Sequence, residues 1–256
     1  MNPSRHLKEV EELKAGVFLF NGFISNPYLI TGEKMVAVDI CTPSAAERIV
    51  AFVTEDLKRE LKDISLITVT HFHIDHIGGI DVLKSLTPAQ LAFHPLVREY
   101  LSGRKIKFPS LKKWITGVIP AWRSQGFSLP SIKDIFRSPI AGYPILKNRI
   151  ASPVDLWLRD DAPLPVNPEW RVIYTPGHVE DSICFYHESC EILLSGDTVL
   201  NITGKGELNP FHNDQEALFK SFDRLRGLKV SNLYPGHGRP LEKEGLWEEV
   251  IPLQLK

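Results

Sequence analysis

Thr70 to Gly79 reads T-H-F-H-I-D-H-I-G-G, and everything else in the chain is best read outward from it. The stretch follows Ser65–Thr70 (SLITVT), a short β-branched and apolar run that predicts a buried strand. His71 and His73 alternate with Phe72, so at the end of an extended strand both imidazoles would point to one side. Asp75 and His76 follow where the backbone turns. Four ligand-type side chains within six residues, just past a buried strand, point to a metal site, since neutral imidazole is the commonest protein metal ligand.

Three later positions have the same form, a ligand-type residue after a short apolar strand. His178 lies in Y-T-P-G-H, Asp197 in L-L-S-G-D-T and His237 in L-Y-P-G-H-G. A glycine precedes each one and would permit a tight turn at the sheet edge. With the first cluster they bring the candidate ligands to seven, five His and two Asp. Seven is too many for one tetrahedral ion and suits two metals sharing a carboxylate.

The remaining pattern predicts an α/β architecture with mixed sheets. Val17–Phe20, Phe23–Ile30 and Met35–Ile40 read as strands separated by turn signals. A helix should follow, with Pro43 in its first turn, Ser44 and Glu47 as a capping box, and Ile49, Phe52, Val53 and Leu57 at helical spacing. In the second half Trp170–Tyr174, Ser182–Tyr186, Glu191–Ser195 and Ser231–Tyr234 read as strands, and Glu216–Leu228 as a helix. His94 and His187 are expected to be structural, His6 exposed, and His212 either at a pocket mouth or on a solvated loop. Cys184 is expected to be a small buried side chain.

Thirty basic and thirty-one acidic residues leave a net charge of −1, which excludes a nucleic-acid binder held by global charge. Met1 to Leu13 has no apolar core for a signal peptide, and Val17 to Ile30 is too short and too polar to cross a bilayer. Three cysteines (Cys41, Cys184 and Cys190) with no CxxC pair argue against a disulfide framework. The expectation is a cytoplasmic protein, a single domain over residues 1–256 with a segment inserted at about 98–150.

That segment departs from its surroundings. It holds eleven Lys or Arg against Glu99 and Asp134, a local charge of +9 that leaves −10 on the remainder. Leu111, Trp114, Ile115, Val118, Ile119 and Trp122 form one apolar stripe at helical spacing, weakened as a helix by Gly117 and Pro120. The segment reads as a helical flap on the protein's own surface, a lid, a membrane-facing surface or a dimer interface.

The H-x-H-x-D-H motif at His71 to His76, followed in order by His178, Asp197 and His237, resembles the metallo-β-lactamase superfamily. The resemblance covers nearly the whole chain outside the insertion. It implies a four-layer αββα sandwich with two divalent ions at one edge, zinc first and iron or manganese as alternatives. Carried over, it implies that His71, His73 and His178 hold the first metal, that Asp75, His76 and His237 hold the second, and that Asp197 bridges them. Asp39, ending the strand VAVD, resembles the family's buried aspartate near the metal loop, with a supporting role.

The implied activity is hydrolysis by a metal-bound hydroxide, with Asp75 orienting the nucleophile as well as binding metal. Asp197 stands where true β-lactamases lack an aspartate. Leu200 stands where quorum-sensing lactonases carry a tyrosine. Only nineteen residues follow His237, where glyoxalase II places its glutathione-binding helices. These departures leave a glyoxalase-II-like hydrolase of a small thioester, ester or lactone, its substrate anionic or acylated. A phosphodiesterase or nuclease is the first alternative, resting on the basic insertion, and an iron-dependent redox protein the second.

Overall fold

The computed structural model describes residues 10–20, 22, 25–106, 134 and 149–250. The apolar stripe from Leu111 to Trp122 and His6 lie outside the described residues. The described chain divides into two compact units. Of the described residues, the first takes in those of 10–93, 134, 149–157 and 165–167, and the second those of 94–106, 158–164 and 168–250.

In the first unit seven strands form one sheet in chain order: β1 (Val10–Glu12), β2 (Val17–Phe20), β3 (Tyr28–Ile30), β4 (Met35–Val38), β5 (Ile64–Thr68), β6 (Gln90–Phe93) and β7 (Leu156–Trp157). Neighbours from β1 to β4 run antiparallel, and those from β4 to β7 run parallel. Every residue of β3 and β4 is buried, so these strands read as continuous apolar runs, as strands covered on both faces do. The strand expected over Phe23–Ile30 is shorter, because the carbonyl of Pro27 accepts from Phe20 N–H at 2.9 Å and the ladder to β4 begins at Tyr28.

Helix α1 (Pro43–Ala51) has Pro43 at its first position and Thr42 as its cap, whose hydroxyl accepts from Ala45 N–H at 3.1 Å. The Ser44–Glu47 capping box is therefore corrected. Ser44 turns instead to Asp134, whose carboxylate accepts Ser44 N–H at 2.8 Å. Past Ala51 the helix loosens into a wider π-turn, Phe52–Asp56, with Phe52 packed on Phe18 and Phe20 at ring-centroid distances of 4.9 and 5.5 Å. Helix α3 (Ile80–Leu86) packs against α1, and the short α2 (Ile74–Ile77) precedes it.

In the second unit, α4 (Val97–Leu101) opens the chain segment. Six strands then form a sheet ordered β15-β14-β11-β10-β9-β8. These are β8 (Pro163–Leu164), β9 (Asn167–Tyr174), β10 (Ile183–His187), β11 (Ile192–Gly196), β14 (Asn232–Pro235) and β15 (Leu241–Glu242). β11 and β14 are parallel, while β9–β10, β10–β11 and β14–β15 are antiparallel. β12 (Val199–Leu200) and β13 (Glu207–Leu208) form a separate hairpin. Helix α5 (Gln215–Arg226), capped by Asp214, lays Leu218, Phe222 and Leu225 on a core that includes Ile173, Tyr186, Leu193 and Leu233. Cys184 is buried in that core, and no disulfide joins Cys41, Cys184 or Cys190.

Candidate metal centre

Strand β5 ends at Thr68, so His71 and His73 stand in the loop beyond it rather than on the strand. The reason is Asp39. Its carboxylate accepts Thr70 N–H and the Thr70 hydroxyl, each at 2.8 Å, and so draws the chain out of the ladder. His73 is extended (φ −89°, ψ 151°) and caps α2, which carries Asp75 and His76 in its single turn. A strand end followed by one helical turn gathers these residues. His71 Nε2 lies 3.0 Å from His73 Nδ1, and the His71 and His76 rings lie 4.2 Å apart. All three imidazoles are buried, whereas the Asp75 side chain remains 21% exposed. His76 Nδ1 stands 3.1 Å from Asp39 Oδ2. The hydroxyl of Ser25 donates to the Asp75 carbonyl.

In the second unit the ligand-type residues follow β9, β11 and β14. Gly177, before His178, has φ +143°, and a Cβ there would meet the backbone of Leu218 at 2.4 Å. A register shift between Leu194 and Gly196 kinks β11 against β14 just before Asp197. At His237 the glycine that needs a positive φ follows the ligand instead of preceding it. Gly238 sits at φ +91°, pressed on the Asn201 carbonyl, while Gly236 is absent from the positive-φ positions and donates its N–H to Gly196 at 2.7 Å. Asp197 Oδ2 lies 3.5 Å from His178 Nε2 and 3.2 Å from His237 Nε2. His178 Nδ1 lies 2.5 Å from the Phe211 carbonyl.

The first unit thus carries His71, His73, Asp75 and His76, and the second His178, Asp197 and His237, all side chains of the type that hold metal ions. Buried imidazole and carboxylate donors of this kind fit divalent ions, which balance charge that burial would otherwise make costly.

The other described histidines are engaged elsewhere. His94 stacks on Tyr174 with ring centroids 4.6 Å apart and planes 2° from parallel, and burial lowers its pKa to about 4. His187 packs edge-on against Trp170. His212 Nδ1–H donates to the Asn209 carbonyl, 3.1 Å away, and so belongs to its own turn. Arg104, at the described edge of the basic segment, bonds Glu99 at 2.6 Å and also pairs with Glu180. The supporting residues that sequence reading missed are Thr70, Asn209 and Phe211. Nothing in a linear pattern marks them, since each acts across 31 or 33 residues of chain.

A family model described as the metallo-beta-lactamase superfamily matches residues 20–237. The probable metallo-hydrolase YflN of Bacillus subtilis is 26% identical over 259 residues, covering 94% of this chain and 91% of that protein. The acyl-coenzyme A thioesterase MBLAC2 of Gallus gallus is 27% identical over 194 residues, covering 71% of this chain and 59% of that protein. A crystal structure of a metallo-beta-lactamase family protein from Thermus thermophilus aligns with a TM-score of 0.60 at 22% identity, covering 91% of this chain and 76% of that one. That likeness is one of fold. With the match over residues 20–237 and the two mixed sheets, it follows that the chain belongs to the metallo-β-lactamase superfamily and carries its fold.

Proposed function

We propose that this protein is a binuclear metal-dependent hydrolase that cleaves a small thioester, ester or lactone. The observation that carries the reading is the place of Asp197. Its Oδ2 faces His178 Nε2 at 3.5 Å and His237 Nε2 at 3.2 Å. A carboxylate facing both is suited to be shared by two ions. His71, His73 and His178 would then hold one ion, and Asp75, His76 and His237 the other. Zinc is the ion we propose.

When bound, divalent ions supply an electrophile for the carbonyl oxygen and lower the pKa of a water from about 16 toward about 7. The chain's own residues do the rest. Asp39 Oδ2, 3.1 Å from His76 Nδ1, and the Phe211 carbonyl, 2.5 Å from His178 Nδ1, are acceptors for an Nδ1–H on each ring, which assigns each Nε2 lone pair to the metal. Asp75 has the more solvent-open of the two carboxylates, and to it we assign the orienting of the attacking water. The thioesterase relative supports an acyl substrate for this chain. No helix among the described residues is long and apolar enough to cross a membrane.

The test is a substrate panel on the zinc-loaded protein: acyl thioesters of coenzyme A and of N-acetylcysteamine, γ- and δ-lactones, and bis(p-nitrophenyl) phosphate. The expected result is turnover of a thioester, ester or lactone in preference to the phosphodiester. Turnover confined to bis(p-nitrophenyl) phosphate would replace this reading with a phosphodiesterase.

A further inference from the structure

Asn209 lies in the turn between β13 and α5 and is buried to 1% exposure. Its side-chain oxygen accepts Phe211 N–H at 2.8 Å. That bond settles the orientation of the amide, because the swapped arrangement would set two donors against each other. Its backbone N–H donates to the carbonyl of Thr198, the residue after Asp197, at 3.4 Å. The turn fixed in this way holds the Phe211 carbonyl 2.5 Å from His178 Nδ1.

A carbonyl only accepts. A contact of that length requires a hydrogen on Nδ1, since a bare ring nitrogen there would oppose two lone pairs. A neutral imidazole carries one N–H, so Nε2 keeps its lone pair, and Nε2 is the atom that faces Asp197. The side-chain nitrogen of Asn209 stands 3.1 Å from the same Nδ1 and pulls the other way. As a donor it favours the opposite tautomer, with the proton on Nε2 and no lone pair for a metal. The shorter carbonyl contact wins as long as the turn holds.

We infer that Asn209 is a positioning residue: by holding Phe211 it selects the Nδ1–H tautomer of His178 and prepares Nε2 for a metal ion. The inference rests on the reading of His178 as a ligand. It also implies that the native amide is a compromise. Asn209→Asp would keep the acceptor for Phe211 N–H and replace the opposing donor with a second acceptor for Nδ1–H.

The experiment compares wild type, Asn209→Ala and Asn209→Asp as zinc-loaded full-length protein. Zinc affinity is read by chelator competition, and the exchange of the His178 Nδ1 proton by NMR on labelled protein, with circular dichroism as the check on folding. Asn209→Ala should weaken one of the two zincs about 10- to 100-fold and speed that proton's exchange. Asn209→Asp should match or exceed the wild type in both. An Asn209→Ala protein indistinguishable from wild type overturns the inference, as does a folded Asn209→Asp protein that binds zinc as weakly as Asn209→Ala. The Asn209→Asp arm decides alone should Asn209→Ala fail to fold. A wild type that binds no zinc overturns the metal centre and this inference together.

Discussion

Asp39 reaches His76 Nδ1 at 3.1 Å from a left-handed backbone conformation, φ +58°, at the end of β4. Few residues other than glycine adopt that conformation, and aspartate is among those that tolerate it best. Both oxygens are committed, Oδ1 to Thr70 N–H and Oδ2 to the Thr70 hydroxyl and His76. One strained residue thus ends β5 and orients His76 of α2.

Asp39→Ala would leave the Thr70 and His76 donors buried without that acceptor and put a Cβ residue in the left-handed region without its polar compensation. The expected loss is about 2–4 kcal/mol of stability, with metal affinity down about 10- to 100-fold. Asp39→Asn, which keeps the shape and the left-handed preference, should lie between. Urea denaturation and metal retention after dialysis check both. An Asp39→Ala protein that keeps wild-type stability and metal would sink this role.

Gly177→Ala tests the turn that presents His178. At φ +143° the added Cβ would press on the backbone of Leu218 at 2.4 Å, and α5 cannot give way without opening its core. The expected cost is about 3 kcal/mol or more, with a lowered denaturation midpoint. A midpoint equal to that of the wild type would contradict it.

His94 ties stability to pH. Burial lowers its pKa from 6.5 to about 4, with Asp160 pulling weakly the other way. The unfolded chain binds a proton there that the folded chain refuses. The contribution is therefore complete above about pH 6.5 and is lost as pH falls toward about 4. Given its partial exposure, roughly 1–2 kcal/mol is at stake. His94→Phe, which keeps a ring against Tyr174, should lose less stability than wild type between pH 6.5 and 4. Parallel stability curves for the two proteins would refute the assignment.

Where local chemistry decides the outcome, the sequence was legible. β2 runs over Val17–Phe20 as its apolar run predicts, and α5 covers most of Glu216–Leu228. The candidate donors could be picked out because ligand-type residues recur after short strands, a pattern independent of distance along the chain. Features that depend on distant partners were hidden. Thr42 rather than Ser44 caps α1, in part because Ser44 is engaged by Asp134, ninety residues away. β5 stops at Thr68 because Asp39 claims Thr70. The two-residue strands β7, β8, β12, β13 and β15 are too short to carry any periodicity.

The central claim is a pair of metal ions sharing Asp197, and elemental analysis tests it most directly. Full-length protein expressed in metal-replete medium should carry close to two divalent ions per chain, as a shared carboxylate implies. Asp197→Ala should retain at most one tightly held ion and lose most activity, because the shared carboxylate also offsets repulsion between the ions. A wild-type ratio near one, unchanged in Asp197→Ala, would contradict the account.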